Sequence, residues 1–78
     1  MGDLPDLANL EYASRVNRAI DHVTRHLDQP LELEVVSRVA AFSPFHFHRI
    51  FRAMVGETLH EFVKRTRLER ALFLMSHS

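Results

Sequence analysis

The sequence predicts an all-α fold, a small bundle of about four helices. Apolar residues recur at spacings of three and four along most of the chain, which is the period of an amphipathic helix. Helix start signals stand at Ser43-Pro44 and Thr58, and helix-breaking residues stand at Pro30 and Gly56. The chain has 78 residues, enough for one domain, and its 46% of apolar residues argue against disorder.

The first helix is predicted to run from about residue 10 to residue 28. Its apolar stripe is made by Ala13, Val16, Ile20, Val23 and Leu27. Asn9 is a plausible N-cap, and Pro30 ends the helix because the residue before a proline avoids the α conformation. Residues 1–9 show little periodicity and are predicted to form a loose N-terminal arm.

The second helix is predicted to be short and to cover about residues 33–40. The residues expected to turn inward, from this helix and the loop before it, are Leu31, Leu33, Val36, Val39 and Ala40. Ala41-Phe42-Ser43 then form a three-residue turn before the third helix. Helix, short turn, helix is the layout of a helix-turn-helix motif, so we expect the bundle to be homeodomain-like.

The third helix is predicted over residues 44–55. Ser43 suits the N-cap, Pro44 suits the first helical position, and Gly56 suits the position just past the end. The apolar stripe of this helix is Phe47, Ile50, Phe51 and Met54. The side chains that point away from the stripe are Phe45, His46, His48, Arg49 and Arg52. A short helix with such a face suits the major groove of DNA.

The fourth helix is predicted over residues 58–76. Thr58 and Glu61 have the spacing of a capping box. The residues that can face inward are Leu59, Phe62, Leu68, Ala71, Leu72 and Met75. Phe73 and Leu74 widen the apolar surface near the end of the helix, and no other predicted element is left to cover that surface.

Charge is distributed unevenly, although the formal net charge is zero. Residues 1–34 carry a net charge of −4, residues 43–78 carry +3, and Arg38 lies between the two regions. The basic excess therefore follows the third helix, which is a weak electrostatic footprint of a nucleic-acid binder.

Composition disfavours several other classes of protein. The chain has no cysteine, which excludes a disulfide framework and thiolate zinc sites. No apolar run approaches the roughly 20 residues that cross a bilayer, and residues 1–4 do not resemble a secretion signal, so we expect a cytoplasmic protein without a membrane partner. His22 and His26 have a zinc-compatible spacing, but no further ligand completes a site. We expect no metal, no cofactor and no enzymatic activity.

From about Ile20 to Met75 the sequence resembles the DNA-binding domain of the AraC/XylS family of bacterial transcription regulators. The segments that carry the resemblance are Leu31–Val36, Phe42–Arg52, Gly56–Leu59, Phe62-Val63 and Arg67–Ala71. In that family the domain contains two helix-turn-helix units joined by a long helix. The resemblance therefore implies that residues 10–78 are a partial AraC-type domain, comprising the first unit and the joining helix.

One residue departs from the family pattern. Family members often have glycine in the turn where this chain has Ala41. That position commonly needs a positive φ, which costs a residue other than glycine roughly 1–2 kcal/mol. Either the turn is remodelled here or the cost is tolerated.

The helix over residues 44–55 and the resemblance together indicate sequence-specific binding to double-stranded operator DNA for transcriptional regulation. Arg49 is the first candidate for a base contact, because a guanidinium matches O6 and N7 of guanine; the alternative is a surface arginine paired with a carboxylate. Arg52 and Arg38 are candidates for phosphate contacts. Lys64, Arg65, Arg67 and Arg70 form a basic run on the fourth helix, for which a solvated face is the default. For Arg67 the resemblance implies the alternative that it braces the joining helix against the helix-turn-helix.

Three further side chains of the third helix are candidates for DNA contacts. His46 and His48 can donate to base edges or phosphates, but they stand two residues apart and do not share a helix face. Phe45 is exposed by the helical count and suits a thymine methyl group. The alternative for Phe45 is packing against Phe42 or the first helix.

A second function remains open from the sequence. The apolar end of the fourth helix, at Phe73, Leu74 and Met75, would suit a protein-interaction module or self-association of the chain. Under the DNA-binding hypothesis, RNA polymerase is a possible further partner of the parent protein.

Overall fold

The computed structural model describes the backbone of residues 7–77 and the side chains of residues 9–77, and within that range it is helical with no strand. The four helices are α1 (Leu7–Arg25), α2 (Leu33–Val39), α3 (Pro44–Val55) and α4 (Leu59–Ser76). The all-α prediction of four helices is confirmed, and the α3 bounds agree with the predicted 44–55. The predicted starts and ends of α2 and α4 agree with the structure to within one residue.

The bounds of α1 differ from the prediction of residues 10–28. The helix begins at Leu7, so residues 7–9 of the predicted loose arm are helical, and Asn9 lies inside the helix instead of capping it. Leucine and alanine are among the strongest helix formers, which explains why residues 7 and 8 extend the helix upstream. Residues 1–6 of the predicted arm lie outside the described part of the chain.

The end of α1 is also earlier than predicted, at Arg25. The backbone N–H of His26 donates to the Val23 carbonyl at 3.1 Å, and that of Gln29 donates to the His26 carbonyl at 3.0 Å. These are turn-type bonds between residues three apart. The chain therefore leaves the helix before Pro30 constrains it. Backbone carbonyls beyond the end of α1 can then accept hydrogen bonds from side chains elsewhere in the fold.

The hydrophobic core lies between α1, α2, α3 and the first half of α4. Its buried apolar residues are Val16, Ala19, Val23, Leu27, Val36, Ala40, Phe42, Phe47, Phe51, Leu59, Phe62 and Val63. Leu31 and Leu33 pack against this core from the loop that enters α2, as predicted. Ser37 is also buried, and its hydroxyl donates to the Glu34 carbonyl at 3.1 Å, which satisfies it inside α2.

Several apolar residues predicted to face inward are exposed. Met54 on α3 is 41% exposed. On the second half of α4, the exposed side chains of this group are Leu68, Ala71, Leu72 and Met75. Phe73 and Leu74, which no predicted element was left to cover, are exposed as expected. Periodicity shows which residues share a face, but it does not show whether another element reaches that face. Here α4 continues past the bundle, which gives the molecule dimensions of 50 × 29 × 17 Å.

The turn of the helix-turn-helix closes α2 with a Schellman motif. The backbone N–H of Phe42 donates to the Ser37 carbonyl at 3.0 Å, and that of Ala41 donates to the Arg38 carbonyl at 2.9 Å. Ala41 has a φ of 62°, the left-handed conformation that this motif requires. The turn is therefore formed without remodelling, and Ala41 tolerates the conformational cost that glycine avoids.

Replacing Ala41 with glycine is expected to stabilise the domain by about 0.5–1 kcal/mol, since the relief of left-handed strain exceeds the entropy that glycine loses on folding. Thermal unfolding followed by circular dichroism measures the change. Ala53→Gly, at an exposed position within α3, is the matched control and should destabilise by about 1 kcal/mol. A lower melting temperature for Ala41→Gly would contradict the assignment of strain to this turn.

The start of α4 is fixed by a capping box. The Thr58 hydroxyl accepts the Glu61 backbone N–H at 3.1 Å, and the Glu61 carboxylate accepts the Thr58 backbone N–H at 2.8 Å. The Thr58 backbone N–H, which bonds the carboxylate, holds the pKa of Glu61 below its usual range, and the Thr58 side chain and the positive charge of Arg52 add to the effect. The point at which α4 begins is therefore fixed by hydrogen bonds within its own first turn.

Two arginines hold α4 in place farther along. Arg67 Nε donates to the Leu27 carbonyl at 3.0 Å, and its Nη2 donates to the Gln29 carbonyl at 2.8 Å. The bracing role predicted for Arg67 is confirmed, and its acceptors are carbonyls that the early end of α1 leaves available. Arg65 bonds both Glu57 and Glu69, which raises its pKa and ties the loop before α4 to the helix.

Candidate nucleic-acid interface

The candidate reading helix, α3, is fixed at both ends by local sequence. The Ser43 hydroxyl accepts the backbone N–H of His46 at 3.2 Å, and Pro44 occupies the first helical position. Gly56 ends the helix with a φ of 90°, and its N–H donates to the Arg52 carbonyl at 3.0 Å. The helix is therefore held to twelve residues directly after the turn.

Two phenyl rings anchor α3 to the core. Phe47 and Phe51 are fully buried, with ring centroids 5.3 Å apart. Phe51 also meets Phe62 of α4 edge-on, with centroids 5.6 Å apart. Because these two positions are one turn apart, their burial fixes which residues of α3 face solvent.

The outward face of α3 carries Phe45, Arg49 and Arg52, spaced at i, i+4 and i+7. Phe45 is 73% exposed, so it does not pack against Phe42 or α1, which was the alternative considered from the sequence. The guanidinium carbon of Arg49 lies 5.9 Å from the centroid of the Phe45 ring, a cation–π distance. Within the described side chains Arg49 forms no ion pair with a carboxylate, so its charge is available to a ligand.

The two histidines lie on opposite flanks of this face. His48 lies on the α4 side, where it borders a shallow depression shared with Arg49, Arg52 and Ala53. It also lines a groove of about 480 Å³ that extends to Leu59 and His60 at the start of α4. A helix turns about 100° per residue, so residues two apart are separated by about 200° around the axis.

His46 lies on the α1 side of α3, next to two other aromatic rings. Its ring centroid is 5.0 Å from that of Phe42 and 5.7 Å from that of Tyr12. Tyr12 and Arg15, which contacts Phe42, were not singled out in the sequence. Their contacts join residues up to 34 positions apart, so no local pattern indicates them.

Arg38 lies in the last turn of α2, with an exposed side chain, and thus on a different element from the other candidates. The structure therefore brings together three of the six predicted side chains, Phe45, Arg49 and Arg52, with His48 at the edge of their face. His46 is committed to the opposite flank.

Other kinds of site find little support in the described residues. The rings of His22 and His26 lie 4.5 Å apart. Among the described residues, however, no group of three or more potential metal ligands exists. None of the described helices combines the length and apolar character needed to span a bilayer.

The chain is similar to known bacterial regulators. The family of bacterial regulatory helix-turn-helix proteins of the AraC type matches residues 25–64, which include α2, the turn and α3. The chain is 35% identical over 60 residues to the uncharacterized HTH-type transcriptional regulator YbfP of Bacillus subtilis; the match covers 77% of this chain and 20% of the relative. It is 32% identical over 53 residues to the regulatory protein SoxS of Salmonella typhimurium, covering 68% of this chain and 50% of the relative.

A third relative is the right origin-binding protein of Escherichia coli, 35% identical over 46 residues, which cover 59% of this chain and 16% of the relative. The chain thus spans half or less of the length of these relatives. The matched residues coincide with the helix-turn-helix described above. The chain belongs to the AraC family of bacterial regulatory helix-turn-helix proteins, and sequence-specific DNA binding for transcriptional regulation is the function of such a domain.

Proposed function

We propose that α3 enters the major groove of operator DNA and reads base edges with its outward face. The observation that carries the proposal is the solvent-facing row of Phe45, Arg49 and Arg52 on a capped helix whose other face is locked into the core. The major groove is about 12 Å wide, which admits one α-helix with its side chains. A rigid helix that follows a tight turn suits this mode of docking.

The proposed roles follow from the chemistry of each side chain. Arg49 donates two hydrogen bonds to O6 and N7 of a guanine, and Phe45 contacts a thymine methyl group. His48, on the α4 flank, donates to a base edge or phosphate beside them. Arg52 and Arg38 contact phosphates. A direct contact by His46 would have to come from the opposite flank, because its ring packs against Tyr12 and Phe42.

Selection from a random duplex library at low salt tests the proposed function. We expect an enriched sequence that contains a guanine, bound more tightly than a scrambled duplex of equal length. Low salt is needed because a domain with few phosphate contacts binds weakly at physiological ionic strength. Recovery of no sequence preference at any salt concentration would reject sequence-specific reading by this domain.

Replacing Arg52 with alanine is expected to weaken binding about equally for the selected and scrambled duplexes. The loss of one phosphate contact should reduce the slope of log affinity against log salt concentration by about 0.9. Fluorescence anisotropy titrations at several salt concentrations measure this slope. The control is Arg70→Ala, which removes an equal charge from the exposed second half of α4. An unchanged slope in Arg52→Ala would remove Arg52 from the phosphate contacts.

A second candidate function is self-association or protein docking through the end of α4. Phe73 and Leu74 are 58% and 56% exposed, an apolar surface larger than a single scattered residue. Size measurement by light scattering separates the two functions. A tight dimer that shifts no DNA at low salt would favour the second candidate over the first.

For the whole protein we propose a cytoplasmic regulator that acts at promoters, where RNA polymerase is the expected partner. Support comes from relatives named as a regulatory protein and a transcriptional regulator. Crosslinking of the full-length protein to polymerase on promoter DNA tests this partner, and crosslinking in the absence of promoter DNA is the control.

A further inference from the structure

We propose that Tyr12, Arg15 and Phe42 form a clamp that sets the orientation of α3, and that His46 acts through this clamp as a positioning residue. Tyr12 and Arg15 belong to α1, Phe42 to the turn, and His46 to the first turn of α3. The inference rests on the proposed function, because it concerns how the reading face is aimed at DNA.

The rings of Tyr12 and Phe42 in the clamp meet each other and the ring of His46 edge to face. The centroids of Tyr12 and Phe42 are 5.1 Å apart with an interplanar angle of 81°. Those of Tyr12 and His46 are 5.7 Å apart at 88°, and those of Phe42 and His46 are 5.0 Å apart at 64°. Such T-shaped pairs are favourable because the positive ring edge meets the negative face. Rotation of α3 relative to α1 would break the contacts that His46 makes.

Arg15 closes the clamp over the turn. Its guanidinium carbon lies 4.9 Å from the Phe42 centroid and 6.0 Å from that of Tyr12. Its Nη1 donates to the carbonyl of Ala41 at 3.3 Å, and its Nη2 bonds Glu11 at 2.6 Å. The side chain is only 25% exposed. Arg15 therefore holds the left-handed residue of the turn and the ring that follows it.

His46 connects the clamp to the reading face. It is adjacent to Phe45 in the chain, and its backbone N–H is bound by the N-cap hydroxyl of Ser43. Its ring contacts fix the first turn of α3, and Phe45 and Arg49 are fixed with it because they belong to the same rigid helix. The side chain of His46 is exposed overall, so His46 is not a residue of the hydrophobic core.

Two substitutions at His46 with opposite properties test the clamp. His46→Phe keeps an aromatic ring and loses hydrogen bonding, whereas His46→Gln keeps hydrogen bonding and loses the ring. The readout is the ratio of affinities for the selected and scrambled duplexes. We expect His46→Phe to retain this ratio within about twofold, and His46→Gln to lower it about tenfold, the scale of one well-placed base contact. Tyr12→Leu should lower it similarly, and Tyr12→Phe should not.

The outcomes separate the clamp from the proposed function. If His46→Gln retains specificity and His46→Phe loses it, His46 reads DNA directly and the positioning role is wrong. If both variants match the wild type, the clamp does not aim α3. If the wild type itself shows no preference between duplexes, the proposed function fails and the clamp inference fails with it. Both variants change an exposed side chain, so both should remain folded at room temperature, as circular dichroism can verify.

Discussion

Replacing Arg49 with alanine is expected to lower the affinity for the selected duplex by about 5- to 150-fold, while binding to a scrambled duplex falls far less. The expected range corresponds to the about 1–3 kcal/mol of discrimination that a bidentate arginine–guanine pair provides. Arg49 lies at the centre of the outward face and is not paired with a carboxylate among the described side chains. Its position above the Phe45 ring limits the freedom that the side chain would lose on binding.

Arg49→Lys is the matched control for charge. Lysine keeps the positive charge but cannot present the planar pair of donors that fits guanine. We expect this variant to keep most of the affinity for the scrambled duplex and to lose much of the preference for the selected one. If Arg49→Ala leaves the affinity for the selected duplex unchanged, Arg49 is not a base reader. If Arg49→Lys keeps full specificity, the contact does not depend on a planar pair of donors, and the bidentate reading of guanine is wrong. If Arg49→Ala weakens binding to both duplexes about equally, the contact is to a phosphate.

The structure of α3 could be predicted from the sequence because its determinants are local. Ser43, Pro44 and Gly56 mark its ends within the segment, and the phenylalanine spacing shows which face is buried. The limits of α1 were harder to predict, since its N-terminal extension depends on the helix propensity of residues 7–9 against a weak periodic pattern. The prediction that Leu68, Ala71, Leu72 and Met75 face inward was wrong because the sequence does not reveal how far the neighbouring helices extend.

The candidate site shows the same division between local and long-range information. The outward positions of Phe45 and Arg49 follow from helical period alone, and the structure places both on that face. The different surroundings of His46 and His48 do not follow from helical period, because the neighbours of His46 come from α1 and the turn. The contact between Tyr12 and Phe42 depends on the packing of α1 across the turn, which a single sequence does not specify. Under the roles that we propose, long-range contacts of this kind decide which exposed residues read DNA and which hold the reading helix in place.

Replacing Phe47 with alanine is expected to destabilise the domain by about 3–5 kcal/mol. The side chain is fully buried and contacts the Phe51 ring within the core, so truncation leaves a cavity that few neighbours can fill. A single hydrophobic core in a chain of this size rarely provides more than about 3–5 kcal/mol in total. We therefore expect Phe47→Ala to be largely unfolded at room temperature, with little of the helical circular dichroism signal of the wild type.

Phe45→Ala is the control for the unfolding of Phe47→Ala, because it removes the same side chain two positions earlier on the same helix. Phe45 is 73% exposed, so the free energy of unfolding should change by no more than about 0.5 kcal/mol. Loss of the Phe45 ring should appear instead as weaker binding to the selected duplex, because the thymine contact and the ring beneath Arg49 are both missing. Urea unfolding and DNA titration should thus show that Phe47→Ala loses both stability and binding, whereas Phe45→Ala loses binding alone. If Phe45→Ala unfolds the domain and Phe47→Ala does not, the two faces of α3 are reversed and the proposed reading surface is the buried one.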